Sequence, residues 1–212
     1  MKYSAFFLLV FIQISAKSQI SFGIKYGINL TSVKYEESTS EKLMKPYKKI
    51  KFGLLFGGEA EIKINRVLVL DIDLIYTQKG LKYSQPGYSE GKIKMNYVEM
   101  PFAGKYLIGS PKKNPFGIFV GGYFAYWLNG KYLKTDFKTG SKQNEAVDFN
   151  SPDHQYNRTD IGFYTGISKK ISRRWIFDLR YTHGMFSSAR NGTDALLSRV
   201  VSLSVTYRLN KK

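Results

Sequence analysis

The chain has 212 residues, with 33 lysines and arginines against 16 acids, a formal net charge of +17 and no cysteine. Without cysteine there are no disulfides, no thiolate metal sites and no lipoprotein anchor on an N-terminal cysteine. Beyond the first residues no apolar run approaches the ~20 residues of a spanning helix, so a membrane would have to be crossed with strands.

Residues 1–18 carry the three parts of a secretory signal. Lys2 is followed by the apolar run AFFLLVFIQI from Ala5 to Ile14, and then by Ser15, Ala16, Lys17 and Ser18. Ala16 and Ser18 fit the positions three and one before a cut. The expected organisation is therefore a removed signal over 1–18 and one β domain over 19–212. Export without disulfides points to a bacterium.

The stretch ISFGIKYGINLTSV then sets Ile20, Phe22, Ile24, Tyr26, Ile28 and Leu30 against small or polar residues, the period of two that marks a strand with one wet and one greasy face. A second strand over about 49–64 alternates Ile50, Phe52, Leu54, Phe56, Ala60 and Ile62 with Lys49, Lys51, Glu59, Glu61 and Lys63. After Asn65-Arg66 a third puts Leu68, Leu70, Ile72, Leu74 and Tyr76 opposite Asp71, Asp73, Thr77 and Lys79. The fourth, NYVEMPFAGKYLIG, sets Val98, Met100, Phe102 and Tyr106 against Glu99, Ala103 and Lys105, with Pro101 predicting a bulge or local break. The fifth, PFGIFVGGYFAYWLNG, is apolar on both faces, which leaves its register open. The sixth opposes Ile161, Phe163 and Ile167 to Asp160; the seventh opposes Trp175, Phe177, Leu179 and Tyr181 to Asp178 and Arg180; the eighth opposes Val201, Leu203, Val205 and Tyr207 to Ser202, Ser204, Thr206 and Arg208.

Alternation alone does not say whether the greasy face meets lipid or an enclosed core. The links do: long at 34–48, 83–91, 131–157 and 187–197, short at 65–66, 109–115 and 172–174. Strict alternation is what a chain entering and leaving on the periplasmic side requires. The expected fold is all-β, an eight-stranded antiparallel up-and-down transmembrane β-barrel. Its enclosed face carries seven acids and eight bases, and pairing is the remedy for burying them. The expected lumen network is Lys25, Lys51, Glu59, Glu61, Lys63, Asp71, Asp73, Glu99, Lys105, Asp160, Asp178, Arg180 and Arg208, together with Lys49 and Lys79. Eight strands leave room only for side chains, so the cylinder is plugged and is not a pore. Tyr26, Tyr76, Tyr106, Tyr126, Trp127, Trp175, Tyr181 and Tyr207 suit interfacial girdles.

The phrases FGIKYGINLTSV, LIYTQKGLKY, NYVEMPFAGKYLIG, PFGIFVGGYFAYWLNGK, DIGFYTGISKKI, FDLRYTHGM and SLSVTYRL resemble the PorT-like outer-membrane β-barrel family of Gram-negative bacteria. The resemblance covers the chain beyond its first residues. It implies an integral outer-membrane protein whose last strand is read by the barrel-assembly machinery; the founding members of that family are implicated in secretion of surface proteins. Such chains commonly finish on an aromatic, whereas here Tyr207 is followed by Leu209, Asn210, Lys211 and Lys212.

Signals for chemistry are sparse. Ser151, Asp153 and His154 lie on one loop, where three neighbours seldom converge as a triad. His183, beside Tyr181, suits interfacial packing, and no second ligand stands at metal spacing. No catalytic residue, cofactor or metal is expected. The outer bases Lys131, Lys134, Lys138, Lys142, Arg158 and Arg190 are candidates for contacts with lipopolysaccharide phosphates or an acidic surface ligand. Nucleic acid is not an expected partner, because bases on two opposite rims offer no stripe for a duplex. The expected role is that of an envelope structural or interaction protein. The alternatives are an enzyme acting at the extracellular rim and a soluble periplasmic ligand-binding barrel with its faces inverted.

Overall fold

Every alternating stretch folds as a strand. The computed structural model describes residues 19–35, 42, 45–109, 115–149, 157–185 and 196–209. The strands are β1 (Gln19–Tyr35), β2 (Lys48–Lys49), β3 (Lys51–Lys63), β4 (Leu68–Gln85), β5 (Ser89–Ile108), β6 (Phe116–Asp136), β7 (Lys142–Ala146), β8 (Thr159–Lys170), β9 (Trp175–Gly184) and β10 (Leu196–Arg208). Eight of them close a ring of antiparallel neighbours, β1-β3-β4-β5-β6-β8-β9-β10, with β10 returning to β1. Closure removes the free edges that a sheet of this length would otherwise offer.

The other two strands lie outside the ring. β2 pairs with β4, and β7 pairs with β6. Two of the links expected to be long loops therefore contain strand. β4 and β5 run on to a three-residue turn at 86–88, and β6 continues to Asp136 before folding back as β7. The sheet projects past the barrel on that side because cross-strand pairing continues to satisfy backbone groups beyond the membrane.

The greasy face is the outer one. Phe52 and Phe56 are 72% and 63% exposed, and Ile20, Phe22, Ile24, Met100, Phe102, Ile161, Phe163, Leu179 and Leu203 share that outward direction. On β5 the outward apolar residues run from Val98 to Ile108. At ~3.3 Å per residue and a tilt of about 40°, that is roughly 25 Å of height, the thickness of an outer-membrane barrel's apolar band. No helix among the described residues is long and apolar enough to cross a membrane.

Pro101 has the expected effect, but on one side only. The β4–β5 ladder pairs Ile72 with Phe102 and resumes at Ile75 with Glu99, skipping the two positions between without changing register. The bulge lies elsewhere: Tyr97 pairs with Trp127 and Asn96 with Asn129, so Leu128 is the extra residue on β6. This also settles the fifth predicted strand. Phe119, Tyr123, Ala125 and Trp127 point inward while Ile118, Val120, Phe124 and Tyr126 point outward. Both faces read as apolar because the inward set forms an aromatic core. Trp127 is 0% exposed and is removed from the expected girdle.

Gly80 is required by a close approach. Its φ is 131°, and a Cβ there would lie 2.1 Å from the carbonyl oxygen of Ile93. Both the backbone angle and the space demand glycine.

Candidate functional site

The inward residues stack in layers along the lumen. Nearest the periplasmic turns, Lys105 reaches Glu61 at 2.8 Å and Asp71 at 3.0 Å, and Arg208 pairs with the same Glu61. One step outward, Lys25 is held between Glu59 and Asp73, each at 2.7 Å, with Asp178 at 3.6 Å; Thr206 donates to Glu59 at 2.8 Å. A neutral layer follows, in which Asn29 donates to Thr77 at 2.7 Å and accepts from Ser202 at 2.8 Å. Above it Lys79 bridges Glu99 at 2.7 Å and Asp160 at 3.1 Å, while Arg180 approaches Glu99 at 3.3 Å. Tyr123 and Ser198 both donate to Asp160.

The physical logic is that of charges taken out of water. An ammonium buried alone costs several kcal/mol, and the cost is offset only by close carboxylates and filled hydrogen bonds. Each of Lys25, Lys79 and Lys105 touches at least two carboxylates, and all three are buried. All seven predicted acids enter this network. Three predicted bases do not. Lys51 is buried but donates to the carbonyl of Lys79 at 2.8 Å, Lys63 lies at the periplasmic mouth, and Lys49 is exposed on β2, outside the ring. Alternation placed Lys49 on the second strand's polar face; β2 loses β1 as a neighbour and shifts by one residue in its pairing with β4, which puts Lys49 opposite the outward Lys82.

The outermost layer is mainly apolar, with Lys51 at its edge. Val33, Leu81, Ile93, Met95, Tyr97 and Trp127 form an apolar plug, with Tyr83, Tyr132, Val147 and Phe149 packed against it. Trp127 stacks on Tyr97 with centroids 5.7 Å apart and meets Phe149 edge-on at 4.9 Å. Lys79 marks the boundary, its ammonium 4.4 Å from the centre of the Tyr123 ring and 5.1 Å from that of Tyr97. Sequence reasoning missed this plug. Its signal was the doubly apolar fifth strand.

The lumen is filled. Between Lys25, Asp71, Asp73 and Asp178 there remains a cavity of about 10 Å³, no more than one water needs. A vestibule of about 360 Å³ opens at the periplasmic mouth, lined by Lys63, Arg66, Lys170 and Arg208 among others, and ends against the Lys105–Glu61 pair. Carboxylate oxygens of Glu59, Asp71 and Asp73 come within 4.8 Å of one another, spacing that could hold a metal ion. The Lys25 ammonium already touches two of the three and supplies the positive charge there.

Outside the barrel, the predicted anion-contacting bases separate. Lys131 and Lys142 are exposed and lie on one face of the projecting sheet, while Lys134 lies on the other face. Lys138 lies over the Tyr88 ring at 4.2 Å, and Arg158 folds onto Phe149 at 3.9 Å. Arg190 lies outside the described residues, as do Ser151, Asp153, His154 and the predicted signal. His183 packs as expected, stacked on Phe163 at 5.1 Å and 3.3 Å from the Tyr181 hydroxyl. Tyr76 and Tyr126 face outward toward one end of the barrel, and Tyr106, Trp175 and Tyr207 toward the other.

Residues 11–190 match the family described as Outer membrane protein beta-barrel domain. Among solved structures the chain is similar to Ail, the attachment invasion locus protein of Yersinia pestis, with 14% identity over 89% of this chain and 98% of that one and a TM-score of 0.46. It is similar also to Neisserial surface protein A, with 14% identity over 89% and 98% and a TM-score of 0.48. OprG from Pseudomonas aeruginosa shares 7% identity over 90% and 96%, with a TM-score of 0.47. No curated protein matches the sequence significantly.

Proposed function

The chain belongs to the outer membrane protein β-barrel domain family, and from that premise we propose that it is an interaction protein of the Gram-negative envelope, working through its extracellular sheet. The filled lumen carries this reading. A cylinder closed by three ion-paired layers and an aromatic plug conducts no solute, so the surface left to act is the projecting β4–β5–β6–β7 sheet with its bases. Its partners are outer-leaflet lipid, lipopolysaccharide included, and an envelope protein. The phrases that resemble PorT-like barrels support placing the protein in that group and beside a secretion apparatus for surface proteins. Residues 1–18 serve as its removable signal, and the barrel-assembly machinery inserts it.

Cell fractionation with detergent gels run before and after boiling tests the reading. The expected result is an outer-membrane band whose mobility changes on boiling, with a mass starting at residue 19. A soluble periplasmic protein with no shift would overturn it and make Ile20, Phe22 and Ile24 the lining of a cavity.

A further inference from the structure

We infer that Lys49, Lys82, Lys92, Lys94, Lys131 and Lys142 form a binding site for the phosphate groups of an outer-leaflet glycolipid, a site that presupposes the membrane-spanning barrel proposed above. The register carries this. Lys49 pairs with Lys82 and Lys82 with Lys92 along one row of the sheet; Lys94 pairs with Lys131 in the next row, and Lys142 pairs with Thr135 in the row beyond Lys82. The spacing of two along each strand puts all six on one face, the same face that carries Val98 and Tyr126 lower down. Directly opposed residues of an antiparallel pair have Cα atoms about 4.5–5.5 Å apart, and like charges there are destabilising. This face contains three such opposed lysine pairs.

The chain neutralises almost none of that charge itself. Glu90 is the carboxylate of the paired strands on this face, 3.2 Å from Lys82. Among the described residues, none of Lys49, Lys92, Lys94, Lys131 and Lys142 is ion-paired. In the lumen Lys25, Lys79 and Lys105 are each held by at least two carboxylates. An external anion with several oxygens, bridging ammoniums of adjacent strands, relieves the repulsion and takes up the donors.

Height identifies the anion. Lys94 lies four residues beyond Val98 and Lys82 six beyond Tyr76, each of these the last outward apolar residue of its strand, and Lys131 lies three beyond the outward Leu128. At ~3.3 Å per residue and a tilt of about 40°, the lysines stand roughly 8–15 Å above the apolar band, at the depth of lipid headgroups. A soluble polyanion would meet the turns at 86–88 and 137–141 first, where Lys138 is drawn onto Tyr88. The bulge at Leu128 belongs to the same arrangement. With Leu128 in regular register opposite Asn96 instead of bulged, Lys131 would fall opposite Ile93 on the inner face and Lys94 would lose its opposite number. At the corresponding height on β1 and β10, Lys34 and Arg199 are the bases among the described residues, so the site occupies one sector and not the whole rim.

The test uses the full-length protein reconstituted in phosphatidylethanolamine vesicles, with bisphosphorylated lipid A, with its dephosphorylated form, or with neither. The comparison variant carries K49Q, K92Q, K94Q and K131Q, all exposed or half-buried and outside the barrel wall. The expected result is enrichment of phosphorylated lipid A around the wild-type protein, falling on the order of a hundredfold in the variant, while both proteins keep the boiling-dependent band shift. Equal enrichment by wild type and variant, or equal enrichment of the dephosphorylated lipid, overturns the site while leaving the barrel standing. Displacement of bound lipid A by soluble polyphosphate at comparable phosphate concentration also overturns it, because the ligand is then a free anion. If neither protein shifts on boiling, the barrel reading itself fails, and the site with it.

Discussion

Lys105 and Lys94 stand on the same strand, an odd number of residues apart, and so on opposite faces of one wall. Lys105 is 1% exposed and sits between Glu61 and Asp71. Lys94 is exposed and faces Lys131. Inside, where water cannot screen a charge, the chain supplies the counter-charge to Lys25, Lys79 and Lys105 from neighbouring strands, at bonding distance. Outside, lysine is placed against lysine and neutralisation is left to the surroundings. The contrast teaches that the net charge of +17 is not spread evenly. The lumen cancels or leans acidic, and the surplus lies on the two rims, one of which carries the opposed lysines.

Removing a lumen cation should break the contrast most severely. Lys25→Met leaves Glu59, Asp73 and Asp178 in a space too small for compensating water, and should cost about 4 kcal/mol in urea unfolding from lipid vesicles. Adding Asp73→Asn should return part of that loss, because the penalty comes from uncompensated carboxylates and not from lost volume. A loss unchanged by the second substitution would mean that Lys25 acts by packing. Next in size is the plug. Trp127→Ala removes the stack on Tyr97 and the edge contact with Phe149, and should cost about 3 kcal/mol by the same measurement. Gly80→Val forces a branched side chain onto a φ of 131° and into the Ile93 carbonyl, with an expected cost of about 2 kcal/mol.

The outer lysines should behave in the opposite sense. Lys94→Gln removes one member of an opposed like-charge pair, so in uncharged detergent the variant should be as stable as the wild type or more stable by about 0.5 kcal/mol. In vesicles containing phosphorylated lipid A the order should reverse. A destabilised variant in both media would show that Lys94 already has its counter-charge within the chain.

How much of this was legible follows from what a period of two can encode. It gave the inward and outward sets of the barrel strands, because lipid and lumen are sorted residue by residue: Asp71, Asp73, Lys79, Asp160, Asp178 and Arg180 all lie inside. It could not tell where a strand leaves the membrane, since alternation continues past the boundary. The projecting ends of β4, β5 and β6 therefore read as loops. Nor could it survive a bulge: one extra residue at Leu128 reverses every later side chain of β6, which turned Lys131 outward and hid its pairing with Lys94. Lys49 was assigned inward for a related reason, because the pairing with β4 shifts by one residue between β3 and β2, so that Lys51 faces the lumen and Lys49, two residues away, faces out beside Lys82. Which lysines oppose which is a property of register, and register is set by pairs of strands that no single stretch of sequence contains.

Asp136 shows a third way of holding a charge, and the smallest effect. It ends β6 in the projecting hairpin, where its carboxylate accepts from the backbone N–H groups of Thr139 at 3.1 Å and Lys138 at 2.9 Å. Those two donors hold its carboxyl below the usual carboxylate range. A carboxyl depressed in the folded state stabilises its turn at any pH above the ordinary value and loses that contribution as pH falls through the depressed one. The β6–β7 turn should therefore loosen in acid while the barrel, whose lumen is shut away from solvent, stays closed. Amide exchange at Lys138 and Thr139 is the measurement: protection at neutral pH, lost on acidification and lost at every pH in Asp136→Ala, with the boiling shift intact throughout. Protection that persists in Asp136→Ala would assign the turn's order to the cross-strand pairing of β7 and to the Lys138 contact with Tyr88, and would leave the side chain without a structural role.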